Sequence, residues 1–164
     1  MPIAEVQFYD VVQWLHVSAV VVGLGATFAY GVFIAVAAGS AQRAMPGVIA
    51  GIQATTRMLV IPGLLLILAT GIYLTIDRWE FGDFFIAWGI LAVVILFALG
   101  PAVFGPNQDK ALQAAEEDIE RAGAGPVEFG PEFSRASAVL GRAGPLAGIL
   151  VILTIYVMVA KPFL

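Results

Sequence analysis

The stretch VVQWLHVSAVVVGLGATFAYGVFIAVAA, residues 11–38, contains no Asp, Glu, Lys or Arg. An apolar run of this length predicts a membrane-spanning helix, because about 20 apolar residues are enough to cross the hydrocarbon core. Its one side chain that can ionise near neutral pH is His16, which is also the only histidine of the chain. Because a histidine is costly in hydrocarbon, its presence inside a spanning segment marks a candidate functional site.

Three further apolar segments are long enough, or nearly long enough, to span: residues 58–76, 84–104 and 145–160. The composition agrees with a membrane location. Of the 164 residues, 60% are hydrophobic and 12% are charged, and the mean hydropathy is +0.95, values that a water-soluble domain does not reach. We therefore predict an all-α integral membrane four-helix bundle in which residues 1–164 form a single transmembrane domain.

Charge and cysteine content narrow the functional classes. A formal net charge of -4 does not provide the basic face that nucleic-acid binding requires, so no nucleic-acid partner is expected. The absence of cysteine excludes iron–sulfur and thiolate metal sites built from this chain alone. The expected partners are the lipid bilayer and either further copies of the chain or the other subunits of a membrane complex.

The connecting segments predict the orientation. Six of the eight Lys and Arg residues lie in the connections between spans one and two and between spans three and four. The positive-inside rule then places both termini outside, N-out and C-out, in a multi-pass membrane protein. The six are Arg43, Arg57, Lys110, Arg121, Arg135 and Arg142, and the two on the opposite face are Arg78 and Lys161.

The connection between spans three and four contains a helical pattern, NQDKALQAAEEDIERAG, residues 107–123. Leu112 and Ile119 recur there at helical spacing, opposite a glutamate-rich face. The pattern predicts a short amphipathic cytoplasmic helix over about 107–122, with Asn107 as its N-cap. Glycine and proline then end this helix before the fourth span.

A stripe of polar or small residues runs along the first helix at steps of three and four, and we expect it to face the bundle interior. At about 1.5 Å per residue, His16 lies roughly 7 to 8 Å inside the outer boundary. The same count along the other helices brings a predicted cofactor-binding set to this depth. The stripe comprises Gln13, His16, Ala19, Gly23, Thr27 and Tyr30, and the set comprises His16, Tyr73, Trp88, Tyr156 and Met158.

Three interpretations of His16 stay open at this point. It can be a structural residue hydrogen-bonded to Tyr or Thr, an axial ligand of haem iron, or part of a proton relay or transition-metal site. With one histidine per chain, six-coordinate haem would need Met158, another non-histidine ligand, or His16 of a second subunit. No catalytic constellation is present in the sequence, and enzymatic activity is left open.

Three stretches carry a family resemblance over nearly the whole chain: WLHVSAVVVGLGATFAYGVF (14–33), TTRMLVIPGLLLILATGIYL (55–74) and ILTIYVMVAKPFL (152–164). They resemble an uncharacterised bacterial family of small four-helix membrane proteins, the domain of unknown function 2269 family. More distantly, the first-helix histidine and the VAKPF ending are similar to the haem-binding membrane protoporphyrinogen oxidase family and to copper-resistance membrane domains.

The oxidase resemblance implies a role for His16, because in that family a first-helix histidine and a lysine in a later helix are implicated at the haem. The third helix here, FFIAWGILAVVILFALG (84–100), has neither lysine nor histidine. We therefore expect haem b binding or redox accessory service through His16. The alternative is a non-catalytic scaffold or accessory subunit in which His16 is purely structural.

Overall fold

The computed structural model describes residues 7–163, and the regular structure in that range is helical. Four uninterrupted helical units, each long and apolar enough to cross a membrane, run over Phe8–Ser40, Gln42–Arg78, Phe84–Ala122 and Pro131–Ala160. The predicted all-α fold with four spanning helices is confirmed. Within these units the α-helices are α1 (Phe8–Gly25), α2 (Tyr30–Ser40), α3 (Met45–Thr55), α4 (Ile61–Arg78), α5 (Phe84–Leu99), α6 (Gly105–Ala122) and α7 (Pro131–Ala160).

Three of the four units change helix type part-way along. A 3₁₀ turn, Ala26–Ala29, separates α1 from α2, and π turns separate α3 from α4 (Thr56–Val60) and α5 from α6 (Gly100–Phe104). At about 1.5 Å per residue these turns lie roughly 24 to 27 Å from the start of α1, the end of α4 and the start of α5, a distance close to the ~30 Å thickness of the hydrocarbon core. They divide the bundle into two halves, which we name from the predicted orientation. The outer half contains α1, α4, α5 and the end of α7, and the inner half contains α2, α3, α6 and the start of α7.

The predicted cytoplasmic helix over 107–122 is the larger part of α6, which continues from α5 through the π turn. The prediction that Asn107 is an N-cap is wrong. Asn107 lies inside α6, where its Nδ2 donates to the carbonyl of Val103 at 2.8 Å. Pro101 and Pro106 do not end the helix, because the wider π turn relieves the clash between a proline ring and the carbonyl of the preceding turn.

The core of the inner half is a buried Met45 surrounded by small side chains. Met45 is fully enclosed and belongs to the same buried cluster as Ile49 and Phe133. Met45 and Ile49 belong to α3, a helix in the connection that follows the predicted first span. Alanines bring the surrounding helices close together. They are Ala37, Ala111, Ala114, Ala115 and Ala136.

In the outer half α1 packs mainly against α4, and α5 packs against α7. The backbones of α1 and α4 are closest at Gly23 and Gly63. A Cβ built on Gly63 would lie 2.7 Å from Cα of Gly23, and one built on Gly23 would lie 2.9 Å from Cα of Gly63. Real Cβ atoms do not approach other atoms this closely, so the crossing requires glycine on both helices.

Side chains at the outer end join both termini to the α4–α5 turn. Arg78 donates to Oε1 of Gln7 at 2.6 Å, and its guanidinium lies 3.8 Å from the centre of the Tyr9 ring. Lys161 places its Nζ 3.9 Å from the ring centre of Trp79. The contacts of Arg78 with Tyr9 and of Lys161 with Trp79 are cation–π interactions. The structure thus has the predicted pairing of ends, while the N-out direction stays a prediction.

Asp118 holds the turn between α6 and α7 at the inner end. Its buried carboxylate accepts the backbone N–H of Gly130 at 2.7 Å and is paired with Arg121. The Gly130 N–H is the main reason that the pKa of Asp118 lies below its usual value; burial opposes this effect and Arg121 adds to it. Arg43 completes the attachment, because it donates hydrogen bonds to the carbonyl oxygens of Gly123 (2.6 Å) and Gly125 (2.8 Å).

Replacing Gly63 with alanine tests the crossing of α1 and α4. We expect Gly63→Ala to destabilise the protein by about 1 to 3 kcal/mol, because the added methyl group must force the two backbones apart. Gly31→Ala is the matched control, since a Cβ at Gly31 meets no atom within 4 Å. It should gain up to about 1 kcal/mol from helix propensity. Thermal unfolding in detergent measures both, and equal Tm changes would contradict the close approach.

Asp118→Asn tests the attachment at the inner end. The folded pKa of Asp118 is depressed, so its contribution is present in full above the unfolded value near 4 and is lost as the pH falls through the folded pKa. We expect a loss of roughly 1 to 3 kcal/mol at neutral pH that shrinks below about pH 4. Tm measured against pH checks this, with the exposed neighbour Glu117→Gln as control. Parallel profiles for wild type and Asp118→Asn would reject the assignment.

Candidate functional site

His16 lies on the seam between α1 and α4. Val12, Ala19 and Gly23 are buried on the same side of α1. Across the seam, Nδ1 of His16 lies 2.8 Å from the hydroxyl oxygen of Thr70, which is buried on α4. Because the surrounding medium is hydrocarbon, this hydrogen bond satisfies one polar edge of the ring and ties the two helices together.

Gly71 leaves the space that the His16 ring occupies. A Cβ at Gly71 would lie 3.2 Å from Cε1 of His16 and 3.7 Å from its Nδ1. An added Cβ at Gly71 would therefore require the ring to shift by a few tenths of an ångström. The Thr70–Gly71 pair supplies both the hydrogen-bond partner and the room for the imidazole.

The contacts of Thr70 favour one tautomer of His16. The Thr70 hydroxyl oxygen lies 2.6 Å from the carbonyl oxygen of Leu66 and 2.8 Å from Nδ1 of His16. A hydroxyl has a single proton, so when it donates to Leu66 its oxygen accepts from Nδ1–H. We therefore assign the neutral ring as the Nδ1–H tautomer, in which Nε2 carries a free lone pair.

Nε2 of His16 has no hydrogen-bond partner among residues 7–163. The residue is partly buried, and its ring faces Gly71. Within the same range, the buried side-chain polar atom that has no partner is the hydroxyl of Tyr30.

Three side chains one helical turn from His16 or Thr70 are exposed: Gln13 on α1, and Leu66 and Tyr73 on α4. The His16 ring lies against Gly71, and Leu66 and Tyr73 are on the other side of Thr70 around α4. The prediction that Gln13 faces the interior is wrong, because the seam follows Val12 and Ala19 and leaves Gln13 to one side.

Two of the four predicted neighbours of His16, Tyr73 and Tyr156, make no hydrogen bond to it in the described range. The Tyr73 ring packs edge-on against Phe8, with 5.4 Å between ring centres. Tyr156 is 64% exposed on the outward surface of α7. A count of depth along each helix gives the height of a residue in the bilayer but not the direction in which its side chain points.

Trp88 and Met158 belong to the other helix pair, α5 and α7. Trp88 donates from Nε1 to the hydroxyl of Thr154 at 3.1 Å. The Met158 methyl group fills the notch above Gly89, packed with Trp88 against the local core. Both side chains thus have partners of their own in the part of the chain that the structure describes.

Sequence reasoning missed Thr70 and Gly71. A usable signal was present, because a hydroxyl beside a glycine inside a span can hydrogen-bond to a neighbouring helix and leave room for its side chain. The depth count instead selected Tyr73, which lies one turn further towards the outer end of α4.

Two observations restrict the chemistry available at this site. Residues 7–163 contain no group of three or more His, Cys, Asp or Glu side chains that could hold a metal ion. An apolar groove of about 650 Å³ lies elsewhere, between α2 and α3, with Tyr30 and Phe33 in its lining and none of the predicted cofactor residues. What the site offers a ligand is therefore one imidazole nitrogen, Nε2, on a ring that Thr70 holds in place.

Four long apolar helical units pack together and carry charged residues near their ends, which is the pattern of a multi-pass α-helical membrane protein. Residues 10–162 match the family model described as "Predicted integral membrane protein (DUF2269)". The chain belongs to this family, as its sequence resemblance indicated. No curated protein and no solved structure matches the chain.

The tautomer can be tested directly, because His16 is the only histidine. Protein labelled with ¹⁵N-histidine should give a single pair of ring signals, with Nδ1 protonated and Nε2 not. Thr70→Val removes the acceptor and should shift the ring towards the other tautomer, whereas Thr70→Ser should retain the wild-type signals. A protonated Nε2 in the wild-type protein would overturn the assignment.

Proposed function

We propose that this protein binds haem b through His16 and serves as a redox accessory protein in the bacterial inner membrane, oriented N-out and C-out. The single observation that carries the proposal is the hydrogen bond between Nδ1 of His16 and the Thr70 hydroxyl, which holds the ring and leaves Nε2 without a hydrogen-bond partner among residues 7–163. Neutral imidazole is a common axial ligand of haem iron, and metal-binding histidines usually donate their other ring N–H to a fixed acceptor.

The roles of the residues follow from their contacts. His16 would ligate the iron, Thr70 would hold the ring in the tautomer that leaves Nε2 unprotonated, and Gly71 would leave room for the ring. Haem, when bound, supplies one-electron redox chemistry. The third helix lacks the lysine of the oxidase resemblance, and for that reason we propose redox service without an oxidase reaction.

The alternative function is a non-catalytic scaffold or accessory subunit. The observation that favours it is the same hydrogen bond, because a link between α1 and α4 at a buried threonine stabilises a bundle with or without a ligand. In that case His16 would matter for stability alone, and the purified protein would be colourless.

Absorption spectroscopy separates the two functions. The protein is expressed with ample haem, purified in detergent, and scanned for a Soret band. We expect a Soret band in the wild type, none in His16→Ala, and haem affinity lower by about 10-fold or more in Thr70→Val, the usual effect of losing a partner of a ligating histidine.

Thr154→Val is the matched control, because it also removes an interhelical hydroxyl hydrogen bond, that of Trp88, without touching His16. It should retain the Soret band. Circular dichroism and gel filtration confirm that each variant is folded. A colourless wild type, or a full Soret band in folded His16→Ala, would falsify haem ligation by His16.

A further inference from the structure

We propose that α2 is a strap that swings sideways to close the groove it forms with α3, and that a hydrogen bond from Tyr30 to Thr55 holds the closed position. The structure has the strap in its open position. The inference goes beyond the proposed function and involves neither haem nor His16. It depends on four features: the loose packing of α2, the hinges at its two ends, the space beside it, and the buried hydroxyl of Tyr30.

The helix α2 is loosely packed. Of its 11 residues only Ala37 is buried, and its main neighbour among the helices is α3. The facing helix α3 has the same length, but it contributes Met45, Ile49 and Ile52 to the interior. A segment with few buried apolar contacts lies at the low end of local stability. We therefore expect α2 to move while α3 stays in place.

Both ends of α2 have irregular backbone that can act as a hinge. The 3₁₀ turn Ala26–Ala29 joins α2 to α1, and the hydrogen bonds of a 3₁₀ turn have poorer geometry than those of an α-helix. At the other end Ala41 leaves the helical region, with φ -144° and ψ 48°. Beyond it, the hydrogen bonds of Arg43 and the enclosed Met45 fix the chain. The strap is thus held at both ends and can swing about the line that joins them.

The groove provides room for this movement. Its volume is about 650 Å³ and its lining is mainly apolar. Phe33 and Val36 line it on α2, and each is more than half exposed. Gly47 and Gly51 line it on α3, and a Cβ built at either position would meet no atom within 4 Å. Closure would therefore pack Phe33 and Val36 close to the α3 backbone without a clash at the two glycines.

The Tyr30 hydroxyl favours a closed position. It is buried and has no hydrogen-bond partner among residues 7–163, which costs free energy. Thr55 lines the same end of the groove, because α2 and α3 are joined by a short turn and run in opposite directions. The Thr55 hydroxyl donates to the carbonyl of Gly51 at 2.8 Å, so its oxygen can still accept a hydrogen bond. Tyr30 is the first residue of α2 and turns with it, so closure would bring its hydroxyl to Thr55.

Distances between spin labels measure the movement, and the chain has no native cysteine to interfere. Labels are attached at Ala35→Cys, exposed on α2 outside the groove, and at Glu117→Cys, exposed on α6. Pulsed EPR in detergent should give two distance populations for this pair. The control pair, Ala50→Cys on α3 with Glu117→Cys, should give one, because α3 packs against α6. A single Ala35–Glu117 distance that none of the variants below changes would overturn the strap.

Removing either hydroxyl tests the hydrogen bond that holds the closed position. Tyr30→Phe removes the donor and Thr55→Val removes the acceptor. Each should lower the ratio of closed to open protein by about 5-fold or more, the effect of losing a buried hydrogen bond. Thr56→Val is the matched control, because Thr56 also donates to a carbonyl of α3, at 2.9 Å, but does not line the groove. An unchanged ratio in both Tyr30→Phe and Thr55→Val would reject the hydrogen bond.

Filling the groove tests closure against α3. Gly51→Leu places a side chain in the open space and should remove the closed population. Ala50→Leu adds similar bulk at the neighbouring exposed position, outside the groove, and should retain both populations. Circular dichroism checks that both variants are helical. A closed population that persists in Gly51→Leu would contradict closure. None of these measurements needs haem, so a colourless wild type would reject the proposed function and leave the strap standing.

Discussion

The close crossing of α1 and α4 is the constraint on which the outer half of the molecule depends. Gly23 and Gly63 bring the two backbones together, and the same seam continues to His16, Thr70 and Gly71. In hydrocarbon there is no gain from burying apolar surface between helices, so close packing and interhelical hydrogen bonds must supply the stability. The glycines allow the close packing, and His16 and Thr70 form the interhelical hydrogen bond.

That constraint also explains how an ionisable residue is tolerated in the span. A histidine facing lipid with neither nitrogen satisfied would be expensive. Here one nitrogen has a fixed partner, and the partner is itself anchored to the carbonyl of Leu66. The cost that is left falls on Nε2 alone, and coordination to a metal is one way to remove it. Stability and the proposed chemistry therefore depend on the same three residues.

Different contacts stabilise the inner half. Its helices extend beyond the thickness of a bilayer core and pass through π turns next to proline without ending. Alanine packing around Met45 and polar ties at Asp118 and Arg43 hold this part together. The helices run continuously through both halves. Close packing of helix backbones stabilises the outer half, and hydrogen bonds from charged side chains to the loop between α6 and α7 stabilise the inner half.

The sequence by itself determined the class of the protein, the four spans and the pairing of chain ends, because hydropathy and loop charge are properties of segments and need no knowledge of neighbours. It also singled out His16. It was wrong about Asn107 as an N-cap, because α5 continues into α6 through a π turn. Tertiary structure decided that Thr70 and Gly71 meet His16 and that Trp88 and Met158 do not. The physical reason is that depth is set along a helix axis, whereas contact is set by rotation about that axis, which the crossing at Gly23 and Gly63 fixes.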